Sequence, residues 1–309
     1  MNLCQRVVIG VLAGAVMANS QASVMSAAMV DKSSDILIKN GNKAREGEFS
    51  ETVVVEFKSG SEQTFCSGVL VSPDAVLTAA HCGYRKLVPV RVTAASTLSQ
   101  ALSLGVEGYA RHPAVGVPEV QSVGVNSFVV MDPGAVAQGR NLAGRDLMVI
   151  KLKKALISPA VPIAISSLSG LGEARYVRIA GFGNDGKAGT GRKLYADVEV
   201  VSARCGVTPI PGAENCEPGR ELFARHPQGS FDSCPGDSGG PVYVRSQFAQ
   251  YRLVGITSRA SGLSAQCGGG TIVTLLDAER LAWIRSQVGV HVNTQALKPE
   301  LPPCEPPTC

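Results

Sequence analysis

Short apolar runs, many of them β-branched, recur along this chain between clusters of Gly, Pro, Asn, Asp and Ser. Thr52–Phe57 is such a run and ends at the turn signal Lys58-Ser59-Gly60-Ser61. Val69-Leu70-Val71 and Val76-Leu77-Thr78 follow, separated by Ser72-Pro73-Asp74. Further runs cover Leu147–Leu152, Tyr176–Ala180, Leu194–Val201, Pro241–Val244 and Tyr251–Thr257. Many short strands punctuated by turn residues predict a sandwich or barrel. One helix is predicted, at Ala278–Val288. Asp277 supplies its cap, Leu276, Leu281, Ile284 and Val288 fall near one face, and Gly289 stops it. No repeat of solenoid period is present.

The two ends differ from this pattern. Arg6 precedes the apolar run Val7–Met17, and small residues follow at Ala18–Ala22. That run is too short to span a bilayer as a helix and reads as a secretory signal peptide. Cleavage is expected after Ala22, with Ser20 as the second choice. No later stretch is long and apolar enough to cross a membrane, so an exported, soluble mature chain is expected, outside the cell or in a periplasm. At the other end, Lys298–Cys309 has five prolines in twelve residues, which fits neither a sheet interior nor a helix.

Composition narrows the class. With 17% charged and 45% hydrophobic residues, the chain is not a disordered polymer. A formal charge of +4 over 309 residues is too weak and too dispersed for a nucleic-acid partner. Nine cysteines is an odd number. Removing Cys4 with the signal leaves eight, an even set suited to an oxidising compartment. No Cys-x-x-Cys pair accompanies suitable histidines, so neither a metal nor another cofactor is expected.

Three separated segments carry chemistry: Leu77-Thr78-Ala79-Ala80-His81-Cys82, Arg145-Asp146-Leu147-Met148-Val149-Ile150, and Cys234-Pro235-Gly236-Asp237-Ser238-Gly239-Gly240-Pro241. A serine hydroxyl is a poor nucleophile at neutral pH and needs an adjacent base, itself oriented by a third group. At these residues, and in the order His, Asp, Ser, the chain resembles the chymotrypsin/trypsin family of serine proteases, over about Ile38–Gly289. The resemblance implies an all-β fold of two six-stranded antiparallel β-barrels with a C-terminal helix. It implies Ser238 as nucleophile, His81 as proton carrier and Asp146 as its orienting acid. The backbone N–H groups of Gly236 and Ser238 would form the oxyanion hole. The 65 residues from His81 to Asp146 are more than the family pattern leads one to expect. About twenty extra residues are therefore expected within Ala101–Val130. The family's His-Pro before the acid corresponds either to Val129–Pro133 or to His112-Pro113.

Further roles follow from the same resemblance. Asp237 would pair with a new N-terminal ammonium on Ile38, released by an unknown activating protease, which leaves Ser23–Leu37 as a propeptide. Leu37 is not the Arg or Lys of a trypsin-type activation site, and Ile36 is an alternative start. Asp232, six residues before Ser238, aligns with the acid at the base of the trypsin pocket and implies cleavage after Arg or Lys. The strand Leu253–Ala260 would pair with substrate. Ser258, Arg259 and Ala260 lie in it, the latter two where trypsin-like members usually have Trp and Gly. Arg259 is expected to favour acidic residues upstream of the cut, and Ala260 to narrow the pocket rim. Gly270, or Gly269, would be a small pocket-wall residue, and Gly181-Phe182-Gly183 stands for the family's Gly-Trp-Gly. Implied disulfides are Cys66–Cys82, Cys205–Cys216 and Cys234–Cys267, which leaves Cys304–Cys309 in the tail.

The expected organisation is a signal at residues 1–22, a propeptide at 23–37, a peptidase domain at 38–290 and a tail at 291–309. The expected function is that of a monomeric serine endopeptidase acting on proteins or peptides. The alternatives are the same fold with narrower specificity, or a protease-like protein that only binds.

Overall fold

The structure is a computed structural model and describes residues 38, 41–83, 88–94, 102–111, 120–123, 126–129, 144–156, 171–183, 192–206, 208–227, 232–245, 251–261 and 267–288. The strands are β1 (Asn42–Lys43), β2 (Thr52–Ser59), β3 (Glu62–Ser72), β4 (Ala75–Thr78), β5 (Val88–Ala94), β6 (Leu102–Arg111), β7 (Val120–Val123), β8 (Asn126–Val129), β9 (Met148–Leu152), β10 (Tyr176–Gly181), β11 (Leu194–Ser202), β12 (Glu221–Arg225), β13 (Pro241–Arg245), β14 (Tyr251–Ala260) and β15 (Thr271–Leu275). One helix, α1, covers Ala278–Val288.

Two closed antiparallel barrels of six strands result. The first runs β2-β3-β4-β9-β6-β5 and back to β2. The second runs β11-β10-β13-β14-β15-β12 and closes through the β11–β12 pairing, with β1 added at β11. Closure leaves few open strand edges.

The strand period of two explains the packing. Along β2, Val53, Val55 and Phe57 fill the first barrel with Leu70, Val76, Val92 and Ile150. The opposite face of β3 carries Val69 and Val71. They pack with Leu77 and Leu147 against Tyr243, Leu253 and Ile256 of the second barrel and Ile284 of α1. This seam joins the barrels and buries the helix. Ile284 and Val288 are buried and Leu281 packs half-buried beside them, with Asp277 Oδ1 accepting from Arg280 N at 3.0 Å.

Four barrel strands escape a reading by alternation: β5, β6, β12 and β15. Pro89 in β5 and two glycines in β6 interrupt their apolar pattern, so neighbouring strands decide their conformation. Leu102–Arg111, within the range expected to hold the extra length between His81 and Asp146, forms barrel strand β6, paired with β5 and β9.

Candidate active site

His81 lies on a short 3-10 turn directly after β4, and Asp146 lies just before β9, which pairs with β4. That pairing brings 65 residues of separation down to a hydrogen bond. Asp146 is fully buried. Its Oδ1 accepts from the His81 backbone N–H at 2.8 Å, and its Oδ2 meets His81 Nδ1 at 2.7 Å. Ser258 Oγ, near the C-terminal end of β14, donates to the same Oδ2 at 2.7 Å. Burial alone would raise the Asp146 carboxyl. The imidazole of His81 and these hydrogen bonds outweigh it and hold the group below the ordinary carboxylate range. With Nδ1 donating to the carboxylate, Nε2 is the nitrogen left to accept a proton.

The Ser238 loop is tied to the same corner by its backbone. Ser67 N donates to Ser238 O at 2.9 Å, and Ser67 Oγ donates to Gly236 O at 2.9 Å. Ser67 Oγ also accepts from Phe182 N, and Ser67 O accepts from Thr78 Oγ1 at 2.7 Å. Gly239 N donates to Thr257 O at 2.8 Å and Thr257 N to Gly240 O at 2.9 Å, which fixes the loop to β14. Gly236 has φ of 102°, a conformation suited to glycine. Ser67 is a structural member of this site that the sequence motifs did not single out.

Asp232 is buried, and its carboxylate is surrounded by donors. Ser233 N at 2.8 Å and Thr271 Oγ1 at 2.5 Å reach Oδ1, while Gly268 N at 2.7 Å and Gly270 N at 3.0 Å reach Oδ2. Gly270 has φ of 117°, and a Cβ there would meet the Phe223 ring at 2.5 Å. Ala260 is exposed at the end of β14.

Asp237 is also buried. It accepts from Gly183 N at 2.8 Å and Cys234 N at 2.9 Å, and no ion pair reaches it among the described residues. Burial pushes its carboxyl up to about 7, with Asp232 adding to the effect against those two hydrogen bonds. Gly181 and Gly183 press against it so closely that a Cβ on either would lie within 2.5 Å of a carboxylate oxygen. Ile38 is buried in the core of the second barrel with Val177, Ile179 and Leu194. The segment 23–37 and the tail cysteines Cys304 and Cys309 lie outside the described residues.

Disulfides join Cys66 to Cys82, Cys205 to Cys216, and Cys234 to Cys267. The first two of these cysteines lie beside His81, within 4.8 Å by their ligand atoms. As a disulfide they offer no thiolate to a metal.

The Arg259 guanidinium forms a two-armed ion pair with the fully buried Glu221, both contacts 2.7 Å, and also donates to Asn215 O at 2.7 Å. Only 9% of the side chain is exposed. The guanidinium is thus turned inward, with its charge directed at Glu221. Neither motif nor spacing pointed to Glu221.

These two barrels, with His81, Asp146 and Ser258 at their junction, define a chymotrypsin-like fold. The sequence model of the Trypsin family matches residues 38–278. A trypsin-like protease of Streptomyces glaucescens is 32% identical over 237 residues, covering 74% of each chain. Trypsin I-P1 of Gallus gallus is 30% identical over 233 residues, 72% of this chain and 79% of its own. Coagulation factor XII of Sus scrofa is 30% identical over 240 residues, 72% of this chain and 36% of that longer protein. The chain belongs to the trypsin family of serine proteases.

Proposed function

We propose that this protein is an exported serine endopeptidase that cleaves polypeptides after Arg or Lys through an acyl-enzyme. The observation that carries the reading is the buried Asp146 carboxylate, which grips His81 by both its backbone N–H and Nδ1. In that geometry His81 Nε2 takes the proton of Ser238 as its Oγ attacks the scissile carbonyl carbon. The oxyanion draws hydrogen bonds from the N–H groups of Gly236 and Ser238. His81 returns the proton to the departing amine as the C–N bond breaks. Water then repeats the sequence on the acyl ester, releasing the acid and restoring Ser238.

Asp232 is the residue for Arg or Lys selection. Its ring of donors satisfies and fixes a buried carboxylate, so a substrate guanidinium or ammonium meets a preformed acceptor. Ala260 and Gly270 border that pocket. Activation proceeds by cleavage before Ile38, whose ammonium becomes the missing partner of Asp237. Residues 1–22 act as signal, 23–37 as propeptide, 38–290 as the peptidase, and 291–309 as a tail closed by Cys304–Cys309. The protein works as a monomer on protein or peptide substrates, activated by a protease whose identity Leu37 leaves open.

A fluorophosphonate probe should label the processed protein, and Ser238→Ala should abolish labelling. A peptide library should be cut after Arg and Lys. Cleavage mainly after Leu or Ala would refute the role of Asp232, and no labelling after N-terminal processing would refute the enzyme itself.

A further inference from the structure

The peptide leading into Asp146 is held from two sides by buried ion pairs. Gly144, two residues earlier, donates its N–H to Glu221 Oε1 at 2.9 Å, and its carbonyl accepts from Arg280 Nη2. Glu221 is the carboxylate paired with Arg259, and its second oxygen also accepts from Glu217 N at 2.8 Å. Arg280 is fully buried and pairs with Asp277. Gly144 has φ of 65°, and a Cβ there would strike Arg220 Cβ at 2.5 Å, so the chain is pressed onto this support.

The same arginine reaches Asp146 by a second route. Arg259 Nη1 donates to Ser258 Oγ at 3.3 Å, and Ser258 Oγ donates to Asp146 Oδ2 at 2.7 Å. A hydroxyl has one proton. A guanidinium donating into its lone pair turns that proton towards the carboxylate. Glu221 thus acts on Asp146 through the backbone at Gly144 and, by way of Arg259, through Ser258.

We propose that the Glu221–Arg259 pair is a positioning device for the catalytic acid, fixing both the place of Asp146 and the direction of the Ser258 proton. This rests on the reading of Asp146 as the member of the triad that orients His81. The pair also balances charge. Among the described residues, the charged and titratable groups around Asp146 are His81 in front, Arg145 next to it in the chain, Arg259 and Glu221 behind Ser258, and Arg220 and Arg280 with Asp277 at Gly144. Neutralising Glu221 leaves an uncompensated cation that opposes a positive imidazolium. Neutralising Arg259 leaves an anion that favours it.

The test uses the processed full chain with Glu221→Gln, Arg259→Met and the double variant, rates being expressed per fluorophosphonate-titrated site. Each single variant should lower kcat roughly tenfold to a hundredfold, through misplacement of the triad, with KM changed less than about twofold. The acid limb of the kcat/KM profile should move down by about half a pH unit in Glu221→Gln and up by as much in Arg259→Met. The double variant should return the limb towards its original place. Arg178→Met, which breaks a two-armed pair with Asp197 between strands β10 and β11 of the second barrel, is the control and should leave kcat unchanged.

A merely structural pair would lower melting temperature and the number of titratable sites, yet leave kcat per site and both pH limbs unmoved. That result overturns the proposal. Should a single variant fail to fold, Arg259→Lys, which keeps the charge and one arm, should still lower kcat per site while leaving the acid limb at its wild-type place, and an unchanged kcat in it would overturn the proposal. The low-field proton resonance of the His81–Asp146 hydrogen bond separates this proposal from the protease reading. If it shifts in Glu221→Gln while the wild type hydrolyses nothing, positioning stands and the protease reading falls. If the wild type is active and the resonance stays fixed, the positioning role falls alone.

Discussion

Gly239 lies against Thr78 with no room for a side chain: a Cβ would come within 2.0 Å of Thr78 Oγ1 and 2.4 Å of Ser67 O. Gly239 also has φ of 81°. This contact presses the Ser238 loop onto the end of β4, three residues before His81. Gly239→Ala should therefore cost both fold and function: about 1–3 kcal/mol from overpacking and roughly a hundredfold or more in kcat from displacement of Ser238. Urea unfolding and ester hydrolysis per titrated site would measure the two effects.

Ser258→Ala removes one of three hydrogen bonds to the Asp146 carboxylate. Loss of one donor worth about 1.4 kcal/mol in the transition state lowers kcat roughly tenfold. Asp146 is held below the ordinary carboxylate range, so it contributes stability that is full above that range and lost as pH falls through its folded value. Without Ser258 the carboxyl protonates more easily, and acid unfolding should begin at a higher pH than in the wild type. Circular dichroism during acid titration checks this.

Asp237 gives the opposite sign in the uncleaved chain. Its carboxyl is raised from 3.8 to about 7. Between those values the folded protein retains a proton that the unfolded chain has released. Stability therefore falls as pH rises through that interval, by about 4 kcal/mol in all, and is level above it. Urea unfolding of uncleaved Ser238→Ala protein from pH 4 to pH 8 should show this slope, and adding Asp237→Asn should remove it. An equal slope in both proteins would count against the assignment.

Asp277 caps α1 and neutralises Arg280. Asp277→Ala loses the cap, worth about 1 kcal/mol, and leaves the buried guanidinium without its carboxylate, a further loss of about 3 kcal/mol. Asp277→Asn retains an acceptor for the Arg280 N–H and should be destabilised by visibly less. Chemical denaturation of both variants ranks them.

Much of this protein is written locally. The runs at Thr52–Phe57, Tyr176–Ala180 and Leu194–Val201 are strands because branched apolar residues and flanking turns act over a few positions, and α1 has its cap, face and stop within a dozen residues. The segments around His81, Asp146 and Ser238 were legible for the same reason, each being a short motif. Tertiary structure decided the rest. β5, β6, β12 and β15 take their form from partners far along the chain. Arg259 read by itself is an exposed cation near the substrate, whereas the fold gives it Glu221, 38 residues earlier, and turns it inward. A buried ion pair depends on which groups meet after the barrels close, and no local pattern records that meeting. Ser67 and Gly144 are of the same kind: ordinary residues in sequence, given their importance by what the closed barrels set beside them.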